Sequence, residues 1–298
     1  MKKIKWLLEA ALLITVSLPL AILPYKLALK VGEMLGVSIF HLWRSRRNIA
    51  VENMQKSIQA GGLEILESPE SIARASFKNF GRSSVEVIKI YYGLGRKIID
   101  ETAIKGIENY QAAASKNKGV ILITGHCGNW ELMAVTLSVK VCNVSVVARA
   151  QDNPYLNKFI EKVRAKYGNR VIYKKGALKG ILSEIKKDGT VGILMDQAVL
   201  KDEGYVIDFL GRGAWTTKMP ALIARKTGTP VIPVFINLDG DRHIINIYSE
   251  VALSGEEDTE KAVMEDTKRF TGFIEEHIRQ HPAEWLWIHR RWKRVNDG

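Results

Sequence analysis

The sequence predicts an α/β fold: a largely parallel central sheet flanked by helices, preceded by an N-terminal membrane helix. Three observations predict it. After Gly93, short branched apolar runs alternate with longer runs of helical period. The run 120–124 (Val-Ile-Leu-Ile-Thr) shows no alternation, as expected of a strand covered on both faces. Before Gly93 the pattern is helical, and it opens on an apolar stretch long enough to cross a bilayer. These textures divide the 298 residues into a membrane segment, 1–30, and a globular part, 31–298. The globular part has a helical, membrane-proximal portion at 31–92 and an α/β core at 93–298.

Taken in order, Met1-Lys-Lys-Ile-Lys leads into Trp6 and an apolar run that reaches Leu29. As one helix, 7–29 would span about 34 Å. Trp6 and Tyr25, with Lys2, Lys3, Lys5, Lys26 and Lys30, flank it as interfacial anchors would. Glu9, Pro19 and Pro24 interrupt the run, so it reads either as one tilted helix or as a shallow helix kinked at the prolines. A cleaved signal peptide and a buried soluble helix are the rival readings. The first lacks a clear small-x-small cleavage site after Leu18 and would put Glu9 in its apolar region. Lysines flank both ends, so the positive-inside rule assigns no orientation.

Residues 31–92 read as helices. Arg44, Arg46 and Arg47 lie close to Trp43, which suits anionic lipid or simply a solvated helix face. Gly61-Gly62 marks a loop, and Ser68-Pro-Glu-Ser71 leads into a helix through Ala73, Phe77, Phe80, Val85 and Ile88. This portion is expected to cover one side of the sheet and to build part of a lipid-chain site. Beyond Gly93, strands are expected at 102–107, 120–124, 144–149, 171–173, 191–195, 231–235 and 243–248. Helices are expected at 109–116, 131–139, 157–167, 178–187, 218–227 and 258–277. No internal repeat or low-complexity segment occurs.

Lys plus Arg exceeds Asp plus Glu by 44 − 32 = 12, and the pI is near 9.5. That excess favours anionic partners: nucleic acid, phospholipid headgroups or phosphorylated substrates. No helix-turn-helix, RNA-recognition or zinc pattern supports the first. Cys127 and Cys142 make neither a metal-ligand spacing nor a disulfide framework.

Sites in parallel sheets collect at the carboxyl ends of strands. There the sequence offers His126 after 120–124, then Arg149, Gln151, Asp152 and Asn153 after 144–149, then Asp196 and Gln197 after 191–195. Phe209-Leu-Gly-Arg-Gly213 reads as a Gly-flanked basic loop carrying Arg212. Thr216 and Thr217 precede a helix whose N-terminus could hold an anion. Glu131 follows His126 by five residues. On one helix the two would lie about 140° apart. If the helix starts at Asn129, a good N-cap, His126 sits in the preceding turn and can fold back to Glu131. A carboxylate on one imidazole nitrogen would make the other a general base. An incidental surface histidine on a strand-loop-helix connection is the plain alternative. A Cys127 nucleophile is disfavoured, because neighbouring side chains point apart. There is no Walker A, dinucleotide fingerprint, His-Glu-x-x-His or Cys-x-x-Cys. No metal or cofactor is expected. Near the C-terminus, Trp285, Trp287 and Trp292 interleave with His289, Arg290, Arg291, Lys293 and Arg294, which suits an interfacial surface, a packed core segment, or alternate residues of each.

Five stretches carry a resemblance when taken in order: Gly-His-Cys-Gly-Asn-Trp-Glu, Val-Ala-Arg-Ala-Gln-Asp-Asn-Pro, Met-Asp-Gln, Phe-Leu-Gly-Arg-Gly-Ala-Trp-Thr-Thr and Pro-Ala-Glu-Trp-Leu-Trp-Ile-His-Arg-Arg-Trp-Lys. The chain resembles the late acyltransferases of lipid A biosynthesis, the lauroyl/myristoyl type, and is similar to phosphatidylinositol mannoside acyltransferases. The resemblance covers nearly the whole chain. It implies a glycerolipid-acyltransferase-like fold, with 31–298 as the catalytic domain. It also implies a bacterial inner-membrane enzyme of lipopolysaccharide assembly, with that domain facing the cytoplasm. Its substrates would be an acyl thioester, on acyl carrier protein or CoA, and a glycolipid hydroxyl. The family's His-x4-acid motif maps onto His126 and Glu131, and its following arginine onto Arg149. Its later acid maps onto Asp196, where this chain has Asp-Gln rather than the Asp-His of some lipid A members. Asn129, Arg149, Arg164, Asp196, Gln197, Arg212, Thr216 and Thr217 are the expected substrate-binding residues. Amides near Gly128 and Asn129, or Arg149, would stabilise an oxyanion. A lysophospholipid, glycerol-phosphate or phosphatidylinositol-mannoside-type acyltransferase is the alternative enzyme, and a membrane-tethered lipid-binding protein with a dead site is the non-enzyme alternative.

Overall fold

The computed structural model describes residues 2–293 and 295. The apolar N-terminal run is two helices rather than one: α1 (Lys2–Ile22) and α2 (Tyr25–Leu42), separated at Pro24. Proline there removes a donor and restricts Leu23, its predecessor. α3 (Arg44–Gln59), α4 (Pro69–Tyr91) and α5 (Arg96–Glu101) complete the helical portion. Ser68 caps α4 as its sequence suggests, its hydroxyl accepting from the Ser71 amide.

The α/β part follows: β1 (Ala103–Lys105), α6 (Ile107–Ala114), β2 (Val120–Thr124), α7 (Trp130–Lys140), β3 (Val144–Ala148), α8 (Pro154–Lys166), β4 (Arg170–Tyr173), α9 (Ala177–Ile185) and β5 (Thr190–Leu194). A hairpin of β6 (Gly204–Phe209) and β7 (Arg212–Thr217) comes next. Then come α10 (Met219–Thr227), β8 (Val231–Asp239), β9 (Arg242–Ile247) and α11 (Thr259–Gln280). The main sheet runs β1-β9-β8-β2-β5-β3-β4. All its neighbours are parallel except β8 and β9. The expected α/β class and largely parallel sheet are therefore present.

β2 explains why its sequence lacks alternation. Ile121 and Ile123 face a cluster with Ile181 of α9, Ile223 of α10 and Ile274 of α11. Val120 and Leu122 face a second cluster with Leu132 and Val135 of α7, Ile99 of α5 and Ile236 of β8. Period-two alternation sends successive side chains to opposite faces, and both faces are covered.

The hairpin corrects the reading of 209–213 as a basic loop. Phe209 pairs with Arg212, so the turn is only Leu210-Gly211, with φ of 53° and 76°. Two successive positive φ values make the tight turn that suits the twist of paired strands. Glu275 of α11 fixes it by accepting the Leu210 amide at 3.2 Å.

α1 is fastened to the body. Asn153 Nδ2, just before α8, donates to the Trp6 carbonyl (2.9 Å) and to Glu9 (3.1 Å). Lys89 Nζ of α4 donates to the carbonyls of Ala21 (2.8 Å) and Leu23 (2.6 Å). Glu9 thus has a polar partner inside an apolar sequence. α2 crosses α4 almost backbone to backbone: a Cβ on Gly81 would lie 2.1 Å from the Gly32 carbonyl oxygen. Gly81→Leu should therefore force the helices apart and cost about 3 kcal/mol, the upper range for overpacking. Thermal unfolding in detergent should show a clear loss of Tm; an unchanged Tm would contradict this close crossing.

Candidate active site

The site begins with strand register. β2 and β5 are parallel neighbours, with Thr124 opposite Leu194. The pairing continues one step, as the Met195 amide donates to the Thr124 carbonyl (3.0 Å). Two residues beyond each strand end, His126 and Asp196 therefore meet. His126 Nδ1 lies 2.8 Å from Asp196 Oδ1, and the His126 backbone amide donates to Oδ2 at 2.9 Å. The Trp285 indole Nε1–H donates to Oδ2 as well, at 2.8 Å. Gly125 makes room for this approach: a Cβ there would lie 3.3 Å from the Asp196 carboxyl carbon.

Burial raises the pKa of a carboxyl, but the His126 charge and the hydrogen bonds from His126 and Trp285 outweigh it, holding Asp196 well below the usual carboxylate range. Burial likewise opposes charge on His126. The Asp196 charge and hydrogen bond, with a contribution from Glu131, outweigh that and raise the imidazole pKa above its ordinary value. With Nδ1–H donated to Asp196, the Nε2 lone pair is presented outward, where the Gln197 side-chain amide nitrogen sits 3.2 Å away. The Trp130 ring meets the imidazole edge-on at 5.0 Å.

His126 opens into a cavity of about 360 Å³ beneath α7. Leu122, Met133, Leu137, Val144, Val146 and Gly192 form much of its apolar wall. Glu131, Arg149, Arg164, Lys174, Gln197 and Thr217 supply polar lining. An imidazole base at the polar part of an otherwise apolar cavity suits chemistry on an amphiphile.

The expected bond between Glu131 and His126 is replaced by the one from Asp196. Glu131 Oε1 instead accepts from Arg164 Nη2 at 2.5 Å, and Oε2 accepts from the Tyr91 hydroxyl at 3.2 Å. Glu131 does line the cavity with His126, but it lies in the first turn of α7, whose direction takes its carboxylate to α4 and α8. Arg164 is correspondingly committed to Glu131. Arg149 sits exposed at the cavity, paired with Asp152 at 2.6 Å.

Four expected substrate-binding residues lie outside the cavity lining, one of them Asp196, which is buried against His126. Asn129 is buried: its Oδ1 caps α7 by accepting the Leu132 amide (3.1 Å), and its Nδ2 donates to Glu86 (2.9 Å). Arg212 stacks its guanidinium on the Trp292 ring at 4.1 Å. Thr216 is buried in β7, accepting from Arg291 Nη2 at 2.5 Å. The Gly128 amide donates to the Glu284 carbonyl (2.8 Å), which removes it as an oxyanion donor. Cys127 is buried, and its thiol is pushed well above its ordinary range by burial and by the Asp196 and Glu284 charges. A thiol held protonated is no nucleophile. No residue of 31–92 lines this cavity.

That helical portion holds the C-terminal segment instead. Asn53 Nδ2 donates to the carbonyls of Trp287 and His289, each at 2.9 Å, and Ser76 Oγ to that of Trp285 at 2.7 Å. Trp285, Trp287 and Trp292 are all buried, so they form core rather than an interfacial surface; Arg294 lies outside the described residues. Trp285, like Lys174 in the cavity lining, is a site residue that sequence reasoning missed. Its separation of 89 residues from Asp196 offered no local signal.

A family described as bacterial lipid A biosynthesis acyltransferase matches residues 2–294 of the chain. The chain belongs to this family. It is an acyltransferase. A lipid A biosynthesis palmitoleoyltransferase of Escherichia coli (strain K12) is 22% identical over 275 residues, covering 91% of this chain and 86% of the relative. A lipid A biosynthesis lauroyltransferase of the same strain is 22% identical over 279 residues, covering 93% and 88%. A phosphatidylinositol mannoside acyltransferase of Mycolicibacterium smegmatis is 23% identical over 251 residues, covering 83% and 81%.

For this acyltransferase, Asp196→Asn should lower kcat by about 10²–10⁴-fold, the range for losing an oriented base. The pH profile carries a sign. Neutral His126 is lost as pH falls through its raised pKa, so the wild-type acid limb lies above the ordinary imidazole value. Without the Asp196 charge, that limb should move to lower pH. A variant with unchanged kcat and an unmoved limb would contradict the pairing.

Proposed function

We propose that this acyltransferase is membrane-anchored and moves a fatty acyl group from an acyl carrier protein or CoA thioester to a glycolipid hydroxyl. A lipid A precursor is the acceptor that the family points to. One observation carries the reading: His126, backed by Asp196, presents Nε2 to a cavity whose depth is apolar. The acyl chain lies in that cavity, and its thioester carbonyl comes to rest at His126.

In the proposed mechanism, the acceptor hydroxyl gives its proton to Nε2 while its oxygen attacks the thioester carbonyl. The tetrahedral oxyanion takes hydrogen bonds from the Gln197 amide and from the Trp130 and Glu131 backbone amides that open α7, which have no earlier helical carbonyl to serve. Collapse breaks the carbon–sulfur bond, and the leaving thiolate takes the proton from the imidazolium. Glu131 and Arg164 form a neutral wall pair, and Arg149 and Lys174 meet phosphate groups at the mouth. No acyl-enzyme is needed.

α1 is the described helix long and apolar enough to cross a membrane, at 21 residues, and it exposes Leu8, Leu12, Leu13, Val16 and Ile22. We read it as the anchor in a bacterial inner membrane, with the catalytic part on the cytoplasmic side where acyl thioesters are made. The basic surface suits anionic headgroups. A phosphatidylinositol mannoside acceptor is the second reading, supported by the mycobacterial-type relatives.

His126→Ala should reduce transfer by at least about 10³-fold with folding preserved. Offering an acyl thioester with an acylated glucosamine disaccharide, a phosphatidylinositol mannoside or a lysophospholipid, and reading products by mass spectrometry, separates the acceptors. Turnover by His126→Ala equal to wild type would overturn the base assignment. Gly192 lies on the cavity wall beside Val144, whose Cγ1 a new Cβ would meet at 3.3 Å. Gly192→Val should therefore shift the preferred donor toward shorter chains in a donor-length series. An unshifted preference would place the chain elsewhere.

A further inference from the structure

A second cavity, of about 760 Å³, lies on the opposite face of the sheet from α7, between α9, α10 and the start of α11. Its floor is apolar: Leu178 and Leu182 of α9, Leu222 and Ile223 of α10, and Val263 of α11. Leu178 and Leu222 are 52% and 41% exposed, so large apolar side chains stand open to the exterior at this groove. The proposed mechanism makes no use of it.

The groove borders the His126 cavity. Lys174, Val199, Thr217 and Met219 line both. Cations border it. Lys218 and Lys226 contribute to its lining, with the Lys218 ammonium 5.2 Å from the centre of the Tyr205 ring. Arg225 is committed to Asp266 (2.6 Å) and Ser254, and Lys174 lies 3.5 Å from Glu203, the one carboxylate in the lining. An apolar floor under a mainly cationic border matches an amphiphile with a long chain and an anionic head.

We infer that this groove binds a hydrocarbon chain already present on the anionic acceptor lipid, so that donor and acceptor chains lie on opposite faces of the sheet and their polar ends meet at its carboxyl edge. This rests on the acyl-transfer reading above. A chain in the groove puts its head beside Lys174 and Thr217, residues shared with the cavity that holds His126. The sheet keeps the two chains apart, and the acceptor hydroxyl reaches Nε2 without passing through the donor's apolar cavity.

The test uses the full chain in detergent and a pyrenyl-dodecyl phosphate as probe, with binding read by fluorescence. Each methylene kept out of an apolar site costs about fourfold in affinity. Leu178→Trp with Leu222→Trp, which fills the groove at exposed positions, should therefore weaken the probe at least about tenfold. Lys218→Ala with Lys226→Ala should weaken the phosphate probe more than an uncharged pyrenyl-dodecyl glucoside. In turnover, the Trp pair should raise KM for an acylated glucosamine disaccharide and leave KM for the acyl thioester unchanged. Undiminished probe binding in the Trp pair would overturn the proposal, as would equal effects of the Lys pair on the two probes. If wild type consumes no thioester, the acyl-transfer reading fails, while the binding arm still reports on the groove.

Discussion

The carboxylate of Asp196 is the point on which the rest of the site depends. It is buried and charged, which costs several kcal/mol unless every acceptor position is served. Three donors from two distant segments serve it: the His126 amide, the His126 imidazole and the Trp285 indole. The first two depend on β2 and β5 being adjacent and in register. The third depends on the C-terminal segment lying across the loop after β2. That segment is in turn held by Asn53 of α3 and Ser76 of α4 and by two backbone bonds to the loop itself. One buried charge thus ties the strand edge, the C-terminus and the N-terminal helices into a single arrangement around Nε2.

A second buried carboxylate does similar work one layer back. Glu86 of α4 accepts from Tyr25 of α2, from Asn129 at the start of α7 and from His243 of β9. Burial favours its neutral form, and these partners outweigh that and keep it charged. Asn129 at the same time caps α7, so the helix carrying Glu131 is positioned from α4, next to α1, which Lys89 fastens. The helical portion therefore supports the site from behind rather than lining it.

Much of the α/β part was legible because its elements obey local rules. Continuous apolar runs marked the buried strands, and helices such as α7 and α10 fell within a residue or two of expectation. The β6–β7 hairpin was not legible: its turn uses Leu210 at positive φ, where a residue such as Asn or Gly would have announced it. At the apolar N-terminus Pro19 and Pro24 both signalled a possible kink, but hydropathy alone did not say which of them ends the helix: Pro19 lies within α1 and the break falls at Pro24.

At the site, His126 was legible as a polar residue at a buried strand's carboxyl end. Its partner was misassigned. Glu131 is near in sequence, whereas Asp196 is near in space through strand order, which no local pattern encodes. Arg212 and Thr216 read as ligand residues from type and neighbourhood, yet they face Trp292 and Arg291 because they lie within a paired strand. The central claim is that Asp196 sets the state of His126, and its most direct measurement is the imidazole tautomer by ¹⁵N NMR of histidine-labelled protein. The account predicts an Nδ1–H tautomer at His126 that Asp196→Asn perturbs and Glu131→Gln leaves in place. An Nε2–H tautomer, or one that answers to Glu131→Gln but not to Asp196→Asn, would contradict it.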